Sequence, residues 1–228
     1  MPGTLRNNQF GATTIAQALD DLAACDPAIA VVGITDYCTT ASFRAAWQAW
    51  QAGGGAGIAL LFPNVELRLD VPTAKKGLPL NLHLICAPDQ VDELDEFLAL
   101  LQFSYEDRPY ACSHKGLVSL GRAYKASAHL DEEASLRVGA EQFKVTFETL
   151  RESLQSNRWA REHCLVGIAG GADDGSSGLR TDDNAFSSRR QSIERLAHII
   201  FSSSSQQLSV AMKKYPRVAR TRYPLVAM

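Results

Sequence analysis

Glu66 and His83 stand in two short apolar segments, Asn64-Val65-Glu66-Leu67-Arg68-Leu69 and Leu80-Asn81-Leu82-His83-Leu84-Ile85-Cys86. Pro or Gly bounds each segment, which favours buried strands over helices and plants a carboxylate and an imidazole on neighbouring strands in apolar surroundings. Buried polar side chains need a partner. A divalent metal such as Zn, Mn or Fe would satisfy both, because imidazole nitrogen and carboxylate oxygen are ordinary ligands of these ions. A Glu66–His83 hydrogen bond within the sheet would satisfy them as well.

Further candidates lie at the carboxyl ends of other predicted strands, where α/β proteins form their sites. Asp36 follows the apolar run Ile29-Ala30-Val31-Val32-Gly33-Ile34-Thr35, and Asp173 and Asp174 follow Cys164-Leu165-Val166-Gly167-Ile168-Ala169 in a Gly- and Ser-rich loop. Asp36 could cap the helix after Thr39 or orient a metal ligand, and the Asp173–Gly178 loop could be an ordinary turn. His114 and His129 are additional donors in a segment that is hard to read; a loop histidine is more often solvated. Cys38, without a nearby base, reads as a buried thiol and not a nucleophile. Lys115, Arg122 and Lys125 could meet phosphates but equally fit a solvated surface.

The elements that position these groups follow from periodicity. Thr14-Ile15-Ala16-Gln17 has the form of a capping box and opens a helix over 14–24. A strand over 29–35, a helix from Thr40 bearing Phe43, Trp47 and Trp50, and a strand from Gly57 to Phe62 leading to Glu66 form a βαβ unit. Pro88-Asp89-Gln90 caps a helix with Val91, Leu94, Leu98 and Leu101 on one face. Residues 104–129 read as a loop with one or two short elements, and one long helix is predicted over 131–157. A strand over 164–169 precedes the glycine-rich loop, and a helix from Asp182 or Asp183 runs to Phe201. The fold class is α/β.

The chain has 228 residues, 46% of them hydrophobic, enough for one large domain. Its 23 Lys and Arg against 25 Asp and Glu give no global preference for nucleic acid or membrane. Five cysteines without a Cys-x-x-Cys pair argue against a disulfide framework. The first residues lack a signal-peptide core and no run reaches membrane-spanning length, so a cytoplasmic protein is expected. No phosphate-binding Gly-x-x-x-x-Gly-Lys-Ser/Thr loop occurs.

Three motifs in order, Ile34-Thr35-Asp36-Tyr37, Asn64-Val65-Glu66-Leu67 and Leu82-His83-Leu84, resemble those of the PHP (polymerase and histidinol phosphatase) superfamily. Ala169-Gly170-Gly171-Ala172-Asp173-Asp174-Gly175-Ser176-Ser177-Gly178-Leu179 and Ile193-Glu194-Arg195-Leu196-Ala197-His198-Ile199-Ile200-Phe201-Ser202 resemble the amino-terminal PHP-like part of TrlF-type AAA-like ATPases. The resemblance spans about 29–207 and implies a PHP-like distorted (β/α)7 TIM-type barrel, here incomplete, in a domain over residues 1–207; residues 208–228, with neither helical nor strand periodicity, read as a loose basic tail. The resemblance implies metal-dependent hydrolysis of a phosphate ester or nucleic acid, with Glu66, His83 and Asp36 as metal ligands and Asp36 and Asp174 as catalytic groups; His114, His129 and Asp173 are the candidates to replace family ligands that this chain lacks. It further implies an ATPase domain or partner chain, and a setting in DNA processing, DNA repair or phage defence.

The chain departs from the family in three places. Residues 1–82 contain no histidine, so the usual His-x-His pair is absent. Tyr37 stands where a histidine is usual, and the closing Asp-x-His motif is missing, His198 being predicted inside a helix. The alternatives are a catalytically inactive PHP-like scaffold that binds protein or nucleic acid, or a piece of a longer protein.

Overall fold

The computed structural model describes residues 14–73, 77–126, 128–170, 179 and 184–201, with only the backbone described over 184–187. The chain divides into two units, Met1–Glu66 with Ile85–Phe143 and Leu67–Leu84 with Lys144–Met228.

In the first unit half of the predicted capping box forms: the Thr14 hydroxyl accepts from the Gln17 N–H at 3.1 Å and starts helix α1 (Ile15–Ala23), while the Gln17 side chain donates to Asp21 at 3.2 Å. Strand β1 (Val31–Tyr37) and helix α2 (Ala41–Gln51) follow, and β1 pairs in parallel with the first half of β2 (Leu60–Pro72). The βαβ unit expected from sequence is therefore present. Leu19, Phe43, Ile58 and Leu61 form the core between these elements, with Trp47 and Trp50 packed at its margin. The Trp50 indole N–H donates to the Ile58 carbonyl at 3.1 Å, which lets a polar-tipped ring close an apolar core.

Helix α3 (Val91–Leu100) buries Leu94, Phe97 and Leu98. Arg44 of α2 reaches across to Asp92 and Asp95 of α3 at 2.6 and 2.7 Å. The segment expected to be mostly loop instead holds a hairpin, β4 (Gln102–Tyr105) and β5 (Arg108–Ala111), followed by a full helix α4 (His114–Tyr124). The hairpin turn uses Glu106 and Asp107 at φ 48° and 61°. Such two-residue turns usually advertise themselves with Asn or Gly, and neither is present here.

Helix α4 packs against α5 (Glu132–Gln142) at unusually close range. A Cβ on Gly121 would lie 1.9 Å from the Ser135 carbonyl oxygen, and one on Gly139 1.9 Å from that of Leu117. Glycine is required at both places by backbone proximity, not by φ.

The long helix predicted over 131–157 is two helices, α5 and, in the second unit, α6 (Phe147–Ser156), followed by α7 (Arg158–His163). Between α5 and α6 the chain is extended, and Val145 bridges the edge of β2: its N–H donates to the Arg68 carbonyl and its carbonyl accepts from the Asp70 N–H, both at 2.9 Å. Backbone groups of a buried strand must be paired, and β-branched Val145 together with Thr146, which caps α6, suits that task better than a continuous helix.

The rest of the second unit is a sheet in which β2, β3 (Pro79–Ile85), β6 (Leu165–Ala169) and β7 (Ile199–Phe201) are hydrogen-bonded neighbours in that order. Leu67, Leu69 and Val71 of β2 and Leu80, Leu82 and Leu84 of β3 alternate into the core. Strand β7 pairs in parallel with β6. It replaces the end of the predicted helix, because α8 (Asn184–Leu196) stops before Ala197-His198 and the run Ile199-Ile200-Phe201 continues as a strand.

The molecule is thus a mixed α/β protein with parallel strand pairs and flanking helices. In neither unit do the described strands close on themselves, so the barrel that the resemblance implies is not found as a closed ring among the described residues. No described helix is long and apolar enough to cross a membrane. The basic tail over 208–228 lies outside the described residues.

Candidate functional site

The register of β1 against β2 sets Thr35 beside Asn64, Asp36 beside Val65 and Tyr37 beside Glu66. Side chains alternate across a strand, so Thr35, Tyr37, Asn64 and Glu66 share one face and Asp36 points to the other. The Asn64 side-chain amide donates to the Thr35 hydroxyl at 2.7 Å, tying the two strands on that face. Strand β1 ends at Tyr37, and the next residue, Cys38, turns the chain with a φ of 58° while its N–H donates to the Glu66 carbonyl at 3.1 Å.

Glu66 is buried, with 8% of its surface accessible. Its Oε1 accepts no hydrogen bond among the described residues, while the residue is engaged through other interactions. Asp36 is also buried, on the opposite face, where its carboxylate accepts from the Ser42 hydroxyl at 2.6 Å and from the Tyr37 N–H at 2.9 Å. This arrangement pins the first turn of α2 to the end of β1.

In the second unit His83 sits on β3 with the edge of the Phe201 ring against it, centroids 5.0 Å apart at 68°. Gly167 of β6 makes room for both rings: a Cβ there would fall 2.6 Å from a Phe201 ring carbon and 3.3 Å from the Cβ of His83. Burial lowers the His83 pKa from 6.5 to about 4. The ring is therefore neutral at pH 7, the form in which imidazole binds metal.

The other expected donors are distributed differently. His114 begins α4 at the surface of the first unit, where its Nε2 meets Glu132 Oε1 at 2.8 Å, both side chains being about two-thirds exposed. His129 is exposed. Asp173 and Asp174 lie outside the described residues. Among the described residues no three His, Cys, Asp or Glu side chains come together in a way that could hold a metal ion. Glu66, in the first unit, and His83, in the second, each carry a donor atom of a kind that Zn, Mn or Fe accepts.

Sequence reasoning passed over two features. His198 accepts from the Val166 N–H through Nδ1 at 3.0 Å, a role that a helix running to Phe201 would not give it. Cys112 donates its thiol to the Cys38 carbonyl at 3.5 Å across 74 residues of sequence, a pairing that spacing alone does not reveal.

No protein-family profile matches the chain. No curated protein matches it either. Among solved structures it is similar to an amidohydrolase from Chromobacterium violaceum with bound sulfate and no metal: identity is 12%, 92% of this chain and 80% of that chain are covered, and the TM-score is 0.47. A likeness this slight fixes neither a reaction nor a fold.

Proposed function

We propose that the chain is a PHP-like domain built for metal-dependent hydrolysis of phosphate esters, with Glu66 and His83 as its resident ligands. The observation that carries this reading is His83, an imidazole held neutral by burial, to about pKa 4, within an apolar strand. Its sequence motif and that of Glu66 are the ones that the PHP resemblance assigns to metal. Asp173 or Asp174 supplies the third ligand in this reading. A bound divalent ion would polarise phosphoryl oxygens and furnish hydroxide near neutral pH. Asp36 acts as a positioning residue, through Ser42 and the start of α2. The preference for nucleic acid, and an associated ATPase domain or partner chain, rest on the resemblance of residues 169–179 and 193–202.

The test is hydrolysis of p-nitrophenyl phosphate, its bis ester and short oligonucleotides with added Mn or Zn. Activity in the wild type that falls at least about 100-fold in Glu66→Gln and in His83→Gln would support the reading. Metal-independent activity, or activity equal in the variants, would sink it.

A second reading, a non-catalytic scaffold, is favoured by one observation: Asp36, a ligand candidate, accepts two hydrogen bonds from within its own segment, and Tyr37 occupies the place of a family histidine. It predicts no hydrolysis with any metal, and retention by immobilised protein or nucleic acid.

A further inference from the structure

Cys38 and Cys112 are both free and buried, with 2% and 1% of their surfaces accessible. The Cys112 thiol donates to the Cys38 carbonyl oxygen at 3.5 Å, so its sulfur lies against the very residue that carries the other thiol. The elements around the pair are held in place. Cys112 is anchored by its N–H to the Leu101 carbonyl at 2.9 Å and immediately precedes Ser113, the cap of α4. Cys38 is anchored by its N–H to the Glu66 carbonyl and sits in a left-handed backbone conformation at φ 58°. A non-glycine residue in that conformation is held by its surroundings.

We propose that Cys38 and Cys112 form a redox-responsive dithiol that a low-molecular-weight disulfide such as oxidised glutathione converts to an internal disulfide. One thiol, as thiolate, attacks the glutathione disulfide and releases one reduced glutathione. The second thiol then attacks the mixed disulfide, forming the Cys38–Cys112 bond and releasing the second glutathione. The protein loses two protons and two electrons, and the oxidant takes them up.

The geometry favours closure over a lasting mixed disulfide, because the resolving sulfur is already a neighbour while glutathione finds no space in a buried site. A hydrogen bond to Cys38 and burial push the Cys112 pKa well up, so attack is slow in the folded state and proceeds through local opening. The equilibrium position, not the rate, is the property to measure. The cross-link ties the end of β1 to the start of α4 and fixes the backbone that hydrogen-bonds the Glu66 carbonyl.

The experiment equilibrates the full chain overnight in buffers of graded reduced-to-oxidised glutathione ratio, quenches with acid, alkylates free thiols and maps the peptides by mass spectrometry. The expected result is a loss of two hydrogens in one linked peptide pair carrying Cys38 and Cys112, and a thermal midpoint raised by roughly 5–10 °C, since the bond closes a long loop. Exposed Cys25 should instead carry glutathione and serves as the internal control. Cys38→Ser and Cys112→Ser should each abolish the link, but the wild-type map stands without them. Both cysteines still alkylatable when Cys25 is fully modified, separate glutathione adducts on each, or a link to another cysteine would overturn the proposal.

Discussion

His198 and Val166 exchange two hydrogen bonds, the His198 N–H donating to the Val166 carbonyl at 2.7 Å and the Val166 N–H to His198 Nδ1 at 3.0 Å. The imidazole therefore extends the β6–β7 ladder, and Nδ1 must be unprotonated to accept. Burial lowers the pKa of His198, and of His83 to about 4. Both rings are thus neutral in the folded protein, while in the unfolded chain they protonate near 6.5.

Acid should consequently weaken the fold. Below pH 6.5 the unfolded chain takes up protons that the folded chain refuses, so stability falls as pH falls, and His83 alone accounts for a loss on the order of 3 kcal/mol between pH 6.5 and 4. Denaturant midpoints measured from pH 7.5 to 4.5 should decline steadily, and less steeply in His83→Gln. A flat profile through that window would contradict the assignment of neutral imidazoles at His83 and His198.

Replacing His198 with Ala leaves the Val166 N–H without its acceptor. A loss of about 1–3 kcal/mol is expected from that unsatisfied donor. Amide exchange at Val166 should accelerate in the variant, which separates the lost bond from a general loosening.

The α4–α5 contact should tolerate no Cβ. Gly121→Ala or Gly139→Ala forces the helices apart, since the intruding atom meets backbone oxygen at 1.9 Å. Each should cost about 3 kcal/mol or more, at the upper end for overpacking. Wild-type thermal midpoints in both variants would show that the helices do not pack this closely.

Gly167→Ala is a milder case, because the obstacle is the Phe201 ring and a ring can turn. A loss of about 1–3 kcal/mol is expected, with a shifted His83 ring resonance as the specific sign that the ring pair has moved.

Asp36 and Ser42 should behave as one unit. Ser42→Ala, Asp36→Asn and the double variant are expected to lose similar stability, about 1–3 kcal/mol, with strong non-additivity. Additive losses would mean that Asp36 acts elsewhere than on α2.

The sequence makes the strongly periodic elements legible: α1 with its Thr14 cap, the βαβ unit around Asp36 and Glu66, α3, and the strand carrying Gly167. What it hides is set by long-range pairing. Nothing local distinguishes Val145 from a helical residue until the open β2 groups at Arg68 and Asp70 claim it. The Glu106-Asp107 turn lacks the residues by which hairpins are recognised, and α4 depends on glycines whose value lies in the neighbouring helix. At the site, Asp36 and Glu66 stand on different strands, and that they point to opposite faces follows only from the β1–β2 register, which is set by long-range pairing.

The central proposal is that Glu66 and His83 serve as ligands of a divalent metal. Its most direct test is metal stoichiometry of the purified chain after equilibration with Mn or Zn, with Glu66→Ala and His83→Ala measured beside it and folding checked by circular dichroism. The account predicts at least one ion per wild-type chain and a loss of binding in each folded variant. Equal metal content in all three chains, or none in the wild type, would contradict it.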